Sequence, residues 1–419
     1  MPAVVLPVVG GGSAAEDKGE CMRKSKSLLT GAMLMSFALL AAACGGGGGG
    51  GGGEAAGGKQ CTWVLGTMGA LSGDYAAIGV PIVQGIEYAV EQINAKGDLA
   101  CELQLEKEDS QGSPDQAPQL AQKLAQNQEL VAVVGPYFSG ETLASGDIFN
   151  DAGLAFICPS CTNETIDDQG WDTFFRAVGD DAVQGEQAAN YISKGLQAKT
   201  VAIIHDNQDY SKGLAERVKQ GLGAAAKGPF IISPEETDYS ATVSQVRNVN
   251  PDVVFYGGYV PQAGPLAKQL KEGGVDAQFL SDDGSKDDQF GKLAGAASAG
   301  AQVTCPCADP SKVPAGKEFV SGMQQKFGEP PGTFGAEAYD ATNLVAEALK
   351  NAKADDSVDQ IRQSVVQYLD NVQGYQGIVK KYTFDANGNV VVGPEGIYVY
   401  EWKGTDFQII GSVQELVAG

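Results

Sequence analysis

The sequence predicts an α/β protein of two doubly wound, Rossmann-like lobes joined by a three-strand hinge. Three observations carry that prediction. Short apolar segments alternate with amphipathic ones from Trp63 onward, the alternating series occurs twice, and the roughly 360 residues from Cys61 leave room for two or three domains. The first series opens with the apolar run Val64–Met68. Ile82, Val83, Ile86, Ala89, Val90 and Ile93 then recur at the spacing of one buried helix face. A strand over Glu102–Glu106, a helix over Gln116–Asn127, a strand over Leu130–Val134, a helix over Gly140–Asp151 and a strand over Leu154–Ile157 complete it.

The second series predicts helix Ala182–Lys194, strand Thr200–His205, helix Ser211–Ala226, strand Phe230–Ser233, helix Ala241–Val249, strand Asp252–Tyr256, helix Gln262–Glu272 and strand Gln278–Ser281. Val131-Ala-Val-Val-Gly-Pro-Tyr137 and Val253-Val-Phe-Tyr-Gly-Gly-Tyr259 resemble each other, each leading into a helix and then a strand. Strands apolar along their whole length, separated by helices, imply parallel sheets covered on both faces. A strand near Ala301–Thr304, helices over 316–327, 335–353 and 358–370, and a β-rich stretch over 379–411 must complete both lobes. Chain crossings near Ala177, Cys305 and Val390 would form the hinge. The expected division is 61–178 plus 306–390 for lobe 1, and 179–305 plus 391–419 for lobe 2.

The first sixty residues read differently. Met22-Arg23-Lys24-Ser25-Lys26, an apolar run from Leu28 to Leu40, and Ala41-Ala42-Ala43-Cys44 form a bacterial lipoprotein export signal. The apolar core is too short to span a membrane. Cys44 would become the lipidated N-terminus, and Met22 reads as a more natural start than Met1. Nine glycines follow, Gly45 to Gly53. Glycine loses the most backbone entropy on ordering and buries no side chain, so 45–60 reads as a tether. Two acyl chains would anchor the body stably at the outer face of a cell membrane.

A formal net charge of −23 argues against nucleic acid or an anionic membrane surface as partner, since both need clustered Lys and Arg. Beyond Cys21 and Cys44 there are six cysteines, an even count that suggests disulfides in an exported chain. Cys61 and Cys101 each open a strand that would lie beside the other, so they are expected to pair. Cys158-Pro-Ser-Cys161 reads as a local bridge in preference to a redox pair. Cys305-Pro-Cys307 is more ambiguous, with a bridge possible. Zinc would want further Cys or His ligands, and the chain has one histidine, so no metal is expected.

In open α/β sheets ligands bind beyond the carboxyl ends of the strands. The loops there are Gly69–Gly73, Gly135–Glu141, Pro159–Asn163, Asp206–Tyr210, Gly257–Pro261 and Asp282–Lys286, carrying Ser, Thr, Tyr and Asp beside Gly. Facing each other, they would make a small polar cage. Catalytic signals are lacking: the single histidine, His205, ends a strand, there is no G-x-S-x-G elbow, and there is no phosphate loop and, outside the glycine run 45–53, no G-x-G-x-x-G fingerprint. The acidic run Asp282–Asp288 lacks the spacing of a calcium loop. No cofactor is expected.

Ile203-Ile-His-Asp-Asn-Gln-Asp-Tyr-Ser-Lys-Gly213, Asp252-Val-Val-Phe-Tyr-Gly-Gly-Tyr259 and Gly69-Ala-Leu-Ser-Gly73 resemble the leucine/isoleucine/valine-binding proteins of branched-chain amino acid ABC importers. The resemblance runs from about Thr62 to the C-terminus and implies the type I periplasmic-binding-protein fold. It implies a non-enzymatic, monomeric receptor whose lobes close on one amino acid and present it to membrane permease subunits. Position by position, Ser139 matches the serine that binds the ligand carboxylate, and Ser160 and Thr162 complete that site. Asp283 matches the acid that takes the ligand ammonium, where the family more typically has Glu. Tyr210 and Tyr259 match the lobe 2 tyrosines that close over the ligand. Ile78 stands where an aromatic often covers the side-chain pocket, and Phe334 keeps an aromatic wall. An aliphatic side chain would suit that pocket, with burial contributing roughly 1.5–3 kcal/mol. The alternatives are a receptor of the same fold for another amino acid, an amide or urea, or a sensor that feeds a signalling protein.

Overall fold

The computed structural model describes residues 61–418. The export-signal segment, Cys44 and the glycine-rich stretch 45–60 lie outside the described residues. The described residues belong to one compact unit.

In the first half, β1 (Thr62–Gly69), α1 (Ala76–Lys96), β2 (Glu102–Asp109), α2 (Ala117–Ala125), β3 (Leu130–Val134), α3 (Ser139–Asp151), β4 (Phe156–Cys158) and β5 (Phe174–Arg176) follow in order. Then come α4 (Asp181–Asn190), β6 (Val201–His205), α5 (Asp209–Leu222), β7 (Ala226–Ile231), α6 (Ser240–Val249), β8 (Val253–Gly257), α7 (Val260–Glu272), β9 (Gln278–Ser281), α8 (Gln289–Ala294) and β10 (Gln302–Cys305). The rest is α9 (Gly316–Phe327), α10 (Gly335–Leu349), α11 (Val358–Asn371), β11 (Tyr375–Gln376), β12 (Lys381–Tyr382), β13 (Tyr398–Trp402), β14 (Phe407–Ser412) and α12 (Val413–Ala418).

Two large sheets and a two-stranded one, β11-β12, organise these elements. The first has the order β2-β1-β3-β4-β5 and is parallel throughout. The second has the order β14-β13-β10-β9-β8-β6-β7, with antiparallel pairing only at β10-β13 and β13-β14. Every residue of β3, β6 and β8 is buried, as parallel strands covered by helices on both faces require. The predicted α/β architecture with two lobes is therefore present. Strand order places β1 and β3 inside one sheet and β6 and β8 inside the other.

Local signals explain most boundaries. Gly97, at φ 70°, ends α1 in the left-handed conformation that glycine adopts at low cost. Ser357 and Gln360 form a capping box at the start of α11. In the pairing of β1 with β2, Thr62 lies opposite Glu102, which sets Cys61 beside Cys101 with Cα atoms 4.9 Å apart. Cys158 and Cys161 have Cα atoms 5.8 Å apart, and Cys305 and Cys307 5.1 Å. All three separations fall in the range that a disulfide spans.

Three elements differ from the sequence expectation. The helix expected over Ala182–Lys194 ends at Asn190 and continues as a π turn over Tyr191–Gly195. Strand β7 runs over Ala226–Ile231 instead of Phe230–Ser233; it is an edge strand, paired to β6 alone, so its place follows that pairing and not its own apolar residues. Strand β5, three residues ending in a buried arginine, carries too short a pattern to stand out.

The chain passes between the sheets after β5, after β10 and again before β13. Lys380 sits at this junction. Its Nζ lies 3.2 Å from the carbonyl oxygen of Ala177, 3.5 Å from that of Pro306 and 3.3 Å from Oε1 of the buried Glu337. One ammonium thus touches two of the three crossings. Among the described residues no helix is long and apolar enough to cross a membrane, and no cluster of three or more His, Cys, Asp or Glu could hold a metal ion.

Candidate functional site

The site is assembled from helix N-termini and strand ends. Ser139 is the first residue of α3, Tyr210 lies in the first turn of α5, Tyr259 precedes α7 and Phe334 precedes α10. Unpaired amide groups and the helix dipoles there favour negative charge. Asp283 sits in the short turn after β9, and Ile78 on α1. The packing that brings these together is close. A Cβ on Gly85 of α1 would lie 2.2 Å from the carbonyl oxygen of Gly335 of α10, so the two helices can meet only through glycine. A Cβ on Gly284 would meet Tyr210, Tyr259 and the Gly258 carbonyl at 3.0 Å or less.

Seven of the eight singled-out residues, Ile78, Ser139, Ser160, Tyr210, Tyr259, Asp283 and Phe334, line one cavity between the lobes. Its volume is about 10 Å³, close to that needed by one water molecule. Thr162 is not in that lining. It is fully buried behind it. Ser139 Oγ accepts from the Asn163 amide at 3.2 Å, and Ser160 Oγ donates to the Tyr137 carbonyl at 2.6 Å. Behind this loop, Arg176 is completely buried. It donates to the carbonyls of Thr162 and Asn163, each at 3.2 Å, and pairs with Asp167 at 2.7 Å.

The opposite wall is acidic. Asp283 Oδ1 accepts from Gln184 Nε2 at 2.6 Å and from the Tyr210 hydroxyl at 2.9 Å. Burial raises the Asp283 carboxyl above its ordinary range, while the Gln184 and Tyr210 hydrogen bonds oppose that shift. Asp282 accepts from the Gly258 amide at 2.9 Å and is raised further, by burial and by Asp283 beside it. Asp181 is fully buried beside Thr162, and is raised by burial and then by the charge of Asp283. None of the three pairs with a Lys or Arg among the described residues. One wall therefore offers hydroxyls and helix N-termini and the other offers carboxylates without counter-ions. A zwitterion matches both.

Aromatic rings close the cleft. Tyr259 packs on Tyr210 at 5.1 Å, on Tyr75 at 5.3 Å and on Phe138 at 5.4 Å, the last two being contacts between lobes. Asn163 Nδ2 donates to the Asp209 carbonyl at 2.6 Å, and Arg217 pairs with Glu164 at 3.1 Å, again across the cleft. His205 is buried at the end of β6 with Nδ1 accepting from the Asn207 amide, a structural use. The sequence reading passed over Asp181, Gln184, Tyr75 and Phe138. Asp181 and Gln184 are one turn apart at the start of α4 and so share a face; that spacing was the available signal.

Over residues 62–406 the sequence matches the family described as periplasmic binding protein. The chain belongs to that family. An amino acid binding protein of Pseudomonas aeruginosa is 32% identical over 352 residues, covering 83% of this chain and 92% of its own length. The Leu/Ile/Val-binding protein of Escherichia coli K12 is 32% identical over 342 residues, covering 81% and 90%. Among solved structures, the branched-chain amino acid transporter substrate binding protein of Streptococcus pneumoniae, in complex with isoleucine, matches with a TM-score of 0.74 at 26% identity over 84% of this chain and 99% of that one. A leucine binding protein of Thermotoga maritima matches in fold with a TM-score of 0.76 at 23% identity, over 83% and 97%. The resemblance read from the sequence is thereby established at the level of the family and its fold.

Proposed function

We propose that this periplasmic binding protein is the substrate-binding component of an ABC importer and binds branched-chain amino acids, Leu, Ile or Val, between its lobes. The observation that carries the reading is Asp283: its Oδ1 is held from behind by Gln184 and Tyr210, on the wall opposite the α3 N-terminus that begins at Ser139. The ammonium of an amino acid would sit at Asp283 with Asp181 behind it. Its carboxylate would take the Ser139 hydroxyl and the loop of Ser160 and Thr162, through donors that need no full counter-charge. Ile78, Phe334 and Tyr210 would surround an aliphatic side chain.

No covalent chemistry is part of this reading. Lobe 1 (61–178 plus 306–390) and lobe 2 (179–305 plus 391–419) would close about the three crossings, and the liganded relation of the lobes would be what permease subunits recognise. The body would be held outside the cell membrane, as a monomer, by lipid on Cys44. The test is thermal unfolding of the purified protein with each of twenty L-amino acids, urea and short amides. A ligand specific to the folded state adds about 2.7 kcal/mol at a hundredfold excess over Kd. Shifts with Leu, Ile and Val are expected; a shift with an amide or urea in their place would overturn the reading.

A further inference from the structure

Glu141 lies in the first turn of α3, just beyond Ser139, and is fully buried. Its Oε1 accepts from the Ser110 hydroxyl, and its Oε2 accepts from the Phe138 amide at 3.3 Å. Ser110 Oγ itself accepts from the Gly112 amide at 3.2 Å, which leaves its proton for Glu141. The Thr142 amide bonds to the Phe138 carbonyl at 2.9 Å, and the amides of Ser139 and Gly140 before it have no partner within the helix. The chain's own carboxylate therefore already stands at the anion-attracting end of α3, where the carboxylate of an amino acid is to bind.

The groups around Glu141 bring it no cation. Asp109 ends β2 beside Ser110, and its charge raises the Glu141 carboxyl. Tyr137, in the loop before α3, has its hydroxyl against that of Thr67. Lobe 2 contributes Tyr259, near enough for the Glu141 charge to act on its hydroxyl, and Asp209, whose Oδ2 would lie 3.2 Å from a Cβ on Gly140. On the neighbouring α2, Lys123 is paired with Glu108 at 2.6 Å, and Arg176 is paired with Asp167. Neutral donors alone thus support the buried charge, and burial pushes the carboxyl up to about 7. A second carboxylate at the same helix end penalises that charge further.

We propose that Glu141 is a proton-linked positioning residue: an ionised Glu141 and the carboxylate of a bound amino acid oppose each other at one helix N-terminus, so binding draws a proton onto Glu141. The proton comes from solvent, and no bond in the ligand changes. Protonated Glu141 keeps the Phe138 amide through its carbonyl oxygen and donates its hydroxyl to Ser110 Oγ, so the end of α3 stays in place. Affinity is full below the proton affinity of the free protein, falls as pH rises through it, and levels off above the higher value of the complex. The acids of the opposite wall act in the contrary sense, because the ligand ammonium favours their ionised form. This inference rests on the amino-acid reading above, which supplies the ligand carboxylate.

Isothermal titration of the purified protein with leucine, isoleucine and valine tests it, from about pH 6 to about 8.5 and in phosphate and Tris buffers, whose different ionisation enthalpies count the protons exchanged. The quantity read is the difference between wild type and Glu141→Gln, whose amide oxygen keeps the Phe138 bond. Near pH 7 wild type is expected to take up about half a proton more per ligand than the variant. Across the range its Kd should rise by up to about tenfold relative to that of the variant. Ser110→Ala removes a donor from the ionised form, and should move the steepest part of the wild-type profile upward by about one pH unit; it serves alone if Glu141→Gln does not fold. Binding with equal proton counts and parallel Kd profiles in wild type and Glu141→Gln, or an unmoved profile in Ser110→Ala, overturns the linkage and leaves the amino-acid reading intact. Binding of none of the three amino acids overturns the amino-acid reading, and the linkage with it.

Discussion

Gln184 donates from Nε2 to Oδ1 of Asp283 at 2.6 Å, reaching from the first turns of α4 to the turn after β9. The same Oδ1 receives the Tyr210 hydroxyl. Two neutral donors behind one oxygen orient the carboxylate and support its charge without cancelling it. Asp283→Asn is therefore expected to weaken amino-acid binding by roughly 10- to 150-fold, the equivalent of about 1.5–3 kcal/mol for a hydrogen bond to a charged group. Gln184→Leu should cost less, since Asp283 keeps Tyr210. Titration calorimetry separates the two, and equal losses would show that Gln184 itself meets the ligand.

Arg176 supports the facing wall. With three partners and no exposure, it fixes the carbonyls of Thr162 and Asn163 and thus the loop that presents Ser160. Arg176→Met would leave Asp167 and two carbonyls without their cation. A loss of about 3–5 kcal/mol in urea unfolding is expected. Arg176→Lys should recover little of it, because an ammonium cannot reproduce the guanidinium fork.

Glu141 makes stability depend on pH. It is fully buried, and burial pushes its carboxyl up to about 7, against hydrogen bonds from Ser110 and the Phe138 amide. Its folded value lies above its unfolded one, so between the two the folded protein holds the extra proton. The stabilisation is present in full below the unfolded value and is lost as pH rises through the folded one, by about 1.4 kcal/mol per unit for one proton. Asp340, also raised by burial to about 7, adds in the same direction. Melting temperatures measured from pH 4.5 to 7.5 should fall less steeply in Glu141→Gln than in wild type. An identical slope in both would remove Glu141 from the account.

The cysteines of β1 and β2 offer a separate test. A bond between Cys61 and Cys101 closes a loop of 40 residues, for which about 2–4 kcal/mol is the usual contribution. Peptide mapping without reductant should find that bond, and the double variant Cys61→Ser, Cys101→Ser should melt at lower temperature. The same mapping decides whether Cys158 joins Cys161 and Cys305 joins Cys307.

Leu130–Val134, Val201–His205 and Val253–Gly257 are readable because strands inside a sheet are buried on both faces and so are mainly apolar. Strand β7 was misplaced because an edge strand answers to its neighbour, and β5 was missed because three residues hold no period. Ser139, Asp283, Tyr210 and Tyr259 follow from the family resemblance position by position, and they line one cavity. Gln184 does not titrate, and its role depends on a contact 99 residues away in the chain, which no local pattern announces. Thr162 was grouped with Ser139 and Ser160, yet it stands behind the cavity wall, a difference of depth that a one-dimensional sequence does not encode.

Lys380 binds the carbonyls of Ala177 and Pro306 with a single ammonium. Three independent strands could bend separately and let the lobes wobble in several directions. Two of them stitched at one point are expected to act as an axle, so that parting Tyr259 from Phe138 would be a rotation with one degree of freedom. Paired spin labels on opposite lobes should then give narrow distance distributions in the wild type and broad ones in Lys380→Met, with unchanged widths speaking against the axle.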